Sequence, residues 1–189
     1  MLEKILLETK ALMKGHYLLT SGKHSEFYVE KIKIINHPKY VETICAILVK
    51  KLKKYDFDIV VGPAYGGIVL AYEIARRMGK KFVFTQRKDE KMTIRSGFEI
   101  NTGDKAIIVE DIVTTGGSIK EVIDVLKQQG IDIQAVCCIV DRSNDTAKFD
   151  YDFISLLNMN IESFSPEECP LCQKGIPLTK PGASDKAKL

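Results

Sequence analysis

Long apolar runs are missing from this 189-residue chain. No stretch of about 18 consecutive apolar residues occurs, so no membrane-spanning helix is expected. The opening segment from Met1 to Glu8 sets acids inside its apolar run, which is not the pattern of a signal peptide and predicts a cytoplasmic protein. A charge excess is missing too. The 28 Lys and Arg stand against 25 Asp and Glu, a net charge of +3, too balanced to make nucleic acid or a membrane surface an expected partner. Any anionic ligand must be met by local clustering. A second cysteine pair is also absent. Of the five cysteines, Cys45, Cys137 and Cys138 lie in apolar stretches and read as small core residues. Cys169-Pro-Leu-Cys172 has the spacing of half a zinc site or a redox pair, but a zinc site needs about two more ligands and no matching pair occurs. A local structural role in a reducing compartment is the expectation there. His16, His24 and His37 read as structural, with His24 the one to watch.

What is present is an ordinary globular composition, 45% apolar and 28% charged, long enough for one domain with room for a small appendage. Residues 1–14 predict an amphipathic helix stopped by Gly15, and residues 16–35 predict strand with a turn at Ser21-Gly22. Pro38 opens a helix whose face carries Val41, Ile44, Cys45, Leu48 and Leu52, with lysines crowding its last turn. A regular alternation follows. Strands are predicted at Ile59–Val61, Phe82–Phe84, Ala106–Val109, Ala135–Val140 and Phe153–Leu157, with helices over Gly66–Met78 and Ser118–Gln129 and a polar loop from about residue 85 to 103. Strands apolar on both faces, alternating with helices, predict an α/β fold with a mainly parallel central sheet flanked by helices. The first 35 residues and those after about 158 fall outside the alternation, so they are expected to cap the same single domain of residues 1–189 as a small hood. Lys180 to Leu189 reads as a frayed polar tail.

The chemistry concentrates in Ile107 to Ser118. An apolar strand delivers Glu110 and Asp111 at its carboxyl end, and Thr114-Thr115-Gly116-Gly117-Ser118 then turns into a helix. That turn supplies free backbone N–H groups, hydroxyls and a helix N-terminus, which suit a phosphate. The carboxylates would repel that phosphate, and are better placed to accept hydrogen bonds from sugar hydroxyls or to lie near a metal. A capping role would need one acid, not two, and two acids ending a buried strand are costly without partners. No Gly-Lys-Ser/Thr follows the glycines and no Gly-x-Gly-x-x-Gly occurs, so the segment is neither a Walker loop nor a dinucleotide fingerprint. A second strand–loop–helix, Val61-Gly62-Pro63-Ala64-Tyr65-Gly66-Gly67, also ends on backbone donors.

The acidic segment resembles the binding motif for 5-phosphoribosyl diphosphate (PRPP) of the type I phosphoribosyltransferases. The resemblance implies that Glu110 and Asp111 bind the ribose hydroxyls and that Thr114, Thr115, Gly116, Gly117 and Ser118 cradle the 5-phosphate. It implies that Ala64, Tyr65 and Gly66 form the pyrophosphate loop, with a cis peptide at Ala64-Tyr65. The segment from Gln86 to Arg95 is similar to the family's basic catalytic loop, which in the orotate enzymes reaches across a dimer. Arg87, Lys88 and Lys91 match its basic positions, making Lys88, Lys91 and Asp111 the candidate catalytic residues. The His found in that loop in some members is absent, with Thr93 near its place.

Three features resemble the orotate phosphoribosyltransferases in particular. The run from Gly15 to Tyr28 is similar to their N-terminal signature, although Thr20 stands where some members have Lys, a contact that Lys23 or Lys31 could replace. Arg142 follows the fifth strand, where these enzymes set an Arg on the orotate carboxylate, a match of fork to anion that a neutral purine does not require. The bland alternative for Arg142 is a surface pairing with Asp141 or Asp145. Pro166–Cys172 and Gly175–Gly182 resemble the tail of one branch of these enzymes. The resemblance thus implies transfer of phosphoribosyl from PRPP to orotate by a homodimer, with Thr114, Arg142 and Tyr28 about the base. Mg²⁺ is expected to arrive on PRPP, so no resident ligands for it are expected. A purine or uracil enzyme is the nearest rival. A PRPP-sensing regulator of nucleic acid is the other, and it should carry a basic face or a helix-turn-helix that this sequence lacks.

Overall fold

The apolar runs become the strands of one sheet. The computed structural model describes residues 1–19 and 21–181. In chain order the elements are α1 (Leu2–Glu8), β1 (Leu12–Leu18), β2 (His24–Val29), α2 (Ile32–Ile35), α3 (Pro38–Leu52), β3 (Ile59–Pro63) and α4 (Gly66–Met78). There follow β4 (Lys81–Lys88), β5 (Lys91–Ile94), β6 (Lys105–Val113), α5 (Gly117–Gln128), β7 (Asp132–Asp141), β8 (Asp152–Asn158) and α6 (Pro170–Gln173). Six strands lie in the order β5-β4-β3-β6-β7-β8, all parallel except β5, which pairs antiparallel with β4. Among the described residues, no helix is long and apolar enough to cross a membrane.

Alternation along each strand feeds two cores. Val60, Ile107, Val109 and Cys137 meet α3 and α4 on one face, while Ile59, Val61, Ile108 and Val136 meet α5 on the other. The predicted stripe of α3 is wholly buried, at Val41, Ile44, Cys45, Leu48 and Leu52. Each such side chain contributes roughly 1.5–3 kcal/mol by leaving water, and truncating Leu48 to Ala would cost about 2–5 kcal/mol through the cavity left. Gly79 ends α4 in the left-handed conformation at φ 65°. The thiols of Cys45, Cys137 and Cys138 are buried, and burial pushes that of Cys45 up to about 12, so they are inert core groups.

Three local expectations give way. The first helix ends at Glu8, because Lys10 takes a left-handed φ of 52° and turns the chain into β1 before Gly15. Ile32–Ile35 is a short helix rather than strand. The polar loop after Phe84 is in fact a hairpin: β4 runs on to Lys88 and returns as β5, with Lys88 opposite Lys91. Its turn residues Asp89 and Glu90 both have positive φ, 49° and 64°, the geometry of a tight hairpin usually signalled by Asn-Gly. Glu90 hides that signal.

β1 and β2 form a separate two-stranded sheet joined to the C-terminal segment. His24 exchanges two backbone hydrogen bonds of 2.9 Å with Phe164, while Thr179 donates to the His16 carbonyl at 2.8 Å and accepts from Leu18 N–H at 2.9 Å. Thr20, the position of the missing Lys, lies outside the described residues, as does the tail beyond residue 181.

Candidate active site

Strand order reverses between β3 and β6: the chain leaves β3 through α4 to β4 on one side, and β6 through α5 to β7 on the other. Open α/β sheets bind ligands in the crevice at the carboxyl ends of such strands. Both motif loops emerge there. A Cβ on Gly62 would stand 2.2 Å from the Gly67 carbonyl oxygen, and one on Gly67 would stand 2.7 Å from that of Val109. Only glycine lets the β3–α4 turn close this tightly against β6. The Ala64–Tyr65 peptide bond is cis, and the Tyr65 ring is exposed to solvent.

Glu110 and Asp111 are 9% and 2% exposed, so each carboxylate needs partners. Glu110 Oε1 accepts the Asp111 N–H at 2.9 Å, and Asp111 Oδ1 accepts the Ile112 N–H at 2.6 Å. Lys31, just before α2, supplies the cation: its Nζ donates to Asp111 Oδ1 at 3.3 Å and stands 2.9 Å from Oδ2. The shorter contact is an ion pair without hydrogen-bond alignment, which leaves the buried Oδ2 free of a hydrogen-bond donor. Burial works to lower the Lys31 ammonium, but the charge and hydrogen bond of Asp111 outweigh it and the net shift is upward. Burial, then the charge of Asp111, pushes the Glu110 carboxyl up to about 8. The paired acids are thus stressed in the free protein and poised to gain from added donors.

Thr114 to Ser118 carry the chain from β6 into α5. Gly116 is the N-cap at φ 77°, and a Cβ there would press on Phe149 at 3.0 Å and Ala147 at 3.2 Å. The first amides of α5 lack intrahelical acceptors by helix geometry. Glu110 and residues 112–119 line one pocket, with Thr114, Thr115, Gly117 and Ser118 exposed at its rim.

Arg142 joins this floor through its backbone, donating from N–H to the Val113 carbonyl at 2.8 Å. Neither neighbouring acid pairs with it among the described residues, and Asp141 Oδ1 instead accepts the Ser143 N–H at 2.8 Å. Its Nε is buried without an acceptor, and desolvation lowers its pKa. Burial and the charge of Glu30 raise the Tyr28 hydroxyl, while Lys31 and Arg142 pull it down. Tyr28 on β2 is therefore within electrostatic reach of both Arg142 and Asp111.

The structure brings together Gly66, Glu110, Asp111, Thr114–Ser118, Tyr28 and Arg142, but not the hairpin cations. Lys88 and Lys91 are exposed, and Arg87 pairs with Glu121 of α5 at 2.7 Å. Lys31 is the site residue that the sequence named only as a substitute contact. An isolated Lys between two short elements carries no motif.

The phosphoribosyl transferase domain family matches residues 32–170. The chain is similar to the orotate phosphoribosyltransferase of Caldanaerobacter subterraneus subsp. tengcongensis, with 46% identity over 180 residues and 95% of each chain. It is similar to that of Thermotoga maritima, with 45% identity over 97% of this chain and 98% of the relative. Its fold matches the crystal structure of orotate phosphoribosyltransferase from Aeropyrum pernix at a TM-score of 0.75, with 22% identity over 84% of this chain and 94% of that one.

Proposed function

The chain belongs to the orotate phosphoribosyltransferases, and from that premise we propose that it transfers the 5-phosphoribosyl group of PRPP to orotate, giving orotidine 5′-monophosphate and pyrophosphate in pyrimidine synthesis. The observation that carries the choice of base is Arg142. A half-buried Arg142 whose Nε is buried and unpartnered, one hydrogen bond from the phosphate turn and beside Tyr28, suits a planar anion.

In this reading Glu110 and Asp111 accept hydrogen bonds from the ribose hydroxyls. Asp111 Oδ2, buried and lacking a hydrogen-bond donor, is the better served of the two by a ligand hydroxyl. The amides of Thr114–Ser118 hold the 5-phosphate at the N-terminus of α5, and Ala64, Tyr65 and Gly66 hold the diphosphate. With both ends of PRPP fixed, the anomeric carbon faces the orotate ring nitrogen in line with the departing diphosphate. The nitrogen's lone pair forms the new C–N bond as the C–O bond breaks, and its electrons leave with pyrophosphate. Orotate reacts as its anion, so no covalent enzyme intermediate is required.

Mg²⁺ fits here as a hard cation taking phosphate oxygens and waters beside two carboxylates, and it would supply charge neutralisation of the leaving diphosphate. Lys88 and Lys91 flank the turn of the β4–β5 hairpin, are exposed and form no salt bridge among the described residues, which supports service of this hairpin to a neighbouring subunit of a homodimer. There Arg87, Lys88 and Lys91 would meet the developing negative charge. The β1–β2 sheet and the segment after residue 158 act as a hood that brings Tyr28 over the base. The protein works in the cytoplasm on small anionic substrates. Arg142→Gln tests the base assignment: it should raise the KM for orotate about 10- to 100-fold, the loss of a charge-assisted fork, while PRPP affinity stays unchanged. An unchanged KM for orotate would remove Arg142 from the base site.

A further inference from the structure

Cys169 and Cys172 offer only half a set of metal ligands in the sequence, but the fold completes it. His16 on β1 and His24 at the start of β2 face each other across the hairpin, and the first turn of α6 delivers both cysteines against them. His16 Nε2 lies 3.1 Å from His24 Nδ1, 3.5 Å from Cys169 Sγ and 3.7 Å from Cys172 Sγ, and Cys172 Sγ lies 3.2 Å from His24 Nδ1. All four ligand atoms fall within 4.8 Å of one another.

Hydrogen bonding among the four does not account for this convergence. His16 Nδ1 lies 2.7 Å from the Ile176 carbonyl oxygen, which can only accept, so Nδ1 carries the proton and Nε2 presents a lone pair inward. One lone pair takes one donor well, yet three heteroatoms crowd it. A single ion at the centre satisfies all four at once. Four ligands at tetrahedral zinc, with Zn–N of about 2.0–2.1 Å and Zn–S of about 2.3 Å, stand roughly 3.3–3.8 Å apart, close to the 3.1, 3.2, 3.5 and 3.7 Å of the four pairs given above. The Ile176 carbonyl is then the outer partner that fixes ring orientation and tautomer.

We infer that His16, His24, Cys169 and Cys172 bind one structural Zn²⁺ that clamps the β1–β2 hairpin to the C-terminal segment. Two imidazoles and two thiolates in tetrahedral array select zinc among common divalent ions, and the two thiolates neutralise its charge. Four protein ligands close the coordination sphere, so the ion is structural and apart from the magnesium chemistry of PRPP. The backbone pairs Phe164–His24 and Thr179–His16 already bracket the hairpin, and the ion cross-links the same two segments covalently through residues 145 or more positions apart.

The test uses the full-length, tag-free chain. After dialysis under reducing conditions with Zn²⁺ and removal of excess, elemental analysis should find one zinc per chain, and Co²⁺ in its place should give the visible bands of tetrahedral cobalt with a thiolate charge-transfer band. A strong chelator should expose two further titratable thiols and lower Tm by about 10 °C. Cys172→Ser, at the exposed ligand, should lose the stoichiometric zinc and the charge-transfer intensity of one thiolate. A reduced wild-type chain that takes up no zinc overturns the inference. So does octahedral cobalt, or undiminished zinc in Cys172→Ser.

Discussion

Gly66 lies so close to Asp111 that a Cβ placed on it would stand 1.5 Å from Asp111 Oδ2. The glycine of one loop and the acid of the other are therefore one piece of machinery, and the turn after β3 is shaped to the carboxylate at the end of β6. The missing Cβ leaves room for a buried oxygen whose other close neighbour is the Lys31 ammonium.

Gly66→Ala should force that contact apart. The expected cost is about 1–3 kcal/mol of stability from overpacking, and a fall of at least about 100-fold in kcat/KM if the displaced Asp111 holds the ribose as proposed. Gly79→Ala is the control. It sits at φ 65° with nothing within 4 Å, so it should lose about 1 kcal/mol from left-handed strain and keep its activity. Urea melts and steady-state kinetics on both variants make the comparison, and equal activity in the two would separate Gly66 from the site.

Glu110 gives the free protein a pH dependence whose sign is fixed. Its carboxyl titrates at about 8 when folded, against 4.5 when unfolded, so the folded state holds the proton more tightly. The stability this contributes is complete below 4.5 and is lost as pH rises through about 8. Glu110→Gln cannot lose that proton, and its stability should fall less than that of the wild type between about pH 5 and pH 9. Urea unfolding of ligand-free protein across that range checks it. Parallel curves for the two proteins would contradict the assignment.

Subunit mixing tests the proposal that the hairpin serves a neighbouring subunit of a homodimer. Lys91→Ala and Asp111→Asn homodimers should each be nearly inactive. Unfolded and refolded together, random pairing makes half the dimers hybrid, each with one intact site, so about a quarter of wild-type activity should return. No recovery, with hybrid dimers demonstrated, would place Lys91 in its own subunit's site.

The parts of the fold that could be read from the sequence are those where burial is two-sided and periodic. Ile59–Val61 and Ala106–Val109 are apolar at every position because helices cover both faces, and the α3 stripe is apolar at helical spacing. The β4–β5 hairpin escaped because its turn is Asp89-Glu90 and the strand ends that flank it, Arg87-Lys88 and Lys91, are exposed and charged, so neither alternation nor a glycine marks it there. The motif residues from Glu110 to Ser118 were legible because one continuous segment holds them. Lys31, 80 positions from Asp111, was not, and neither was the convergence of His16 and His24 on a Cys pair near the other end of the chain. Contacts made only by tertiary packing leave no local pattern.

Transfer to orotate is measured by mixing the purified chain with PRPP, Mg²⁺ and orotate and following orotate absorbance, with adenine, hypoxanthine, xanthine and uracil run in parallel by chromatography. Orotate should be lost with an equal release of pyrophosphate, abolished by Asp111→Asn, and the other bases should not turn over. Turnover of another base without turnover of orotate would contradict it, as would tight PRPP binding with no turnover at all.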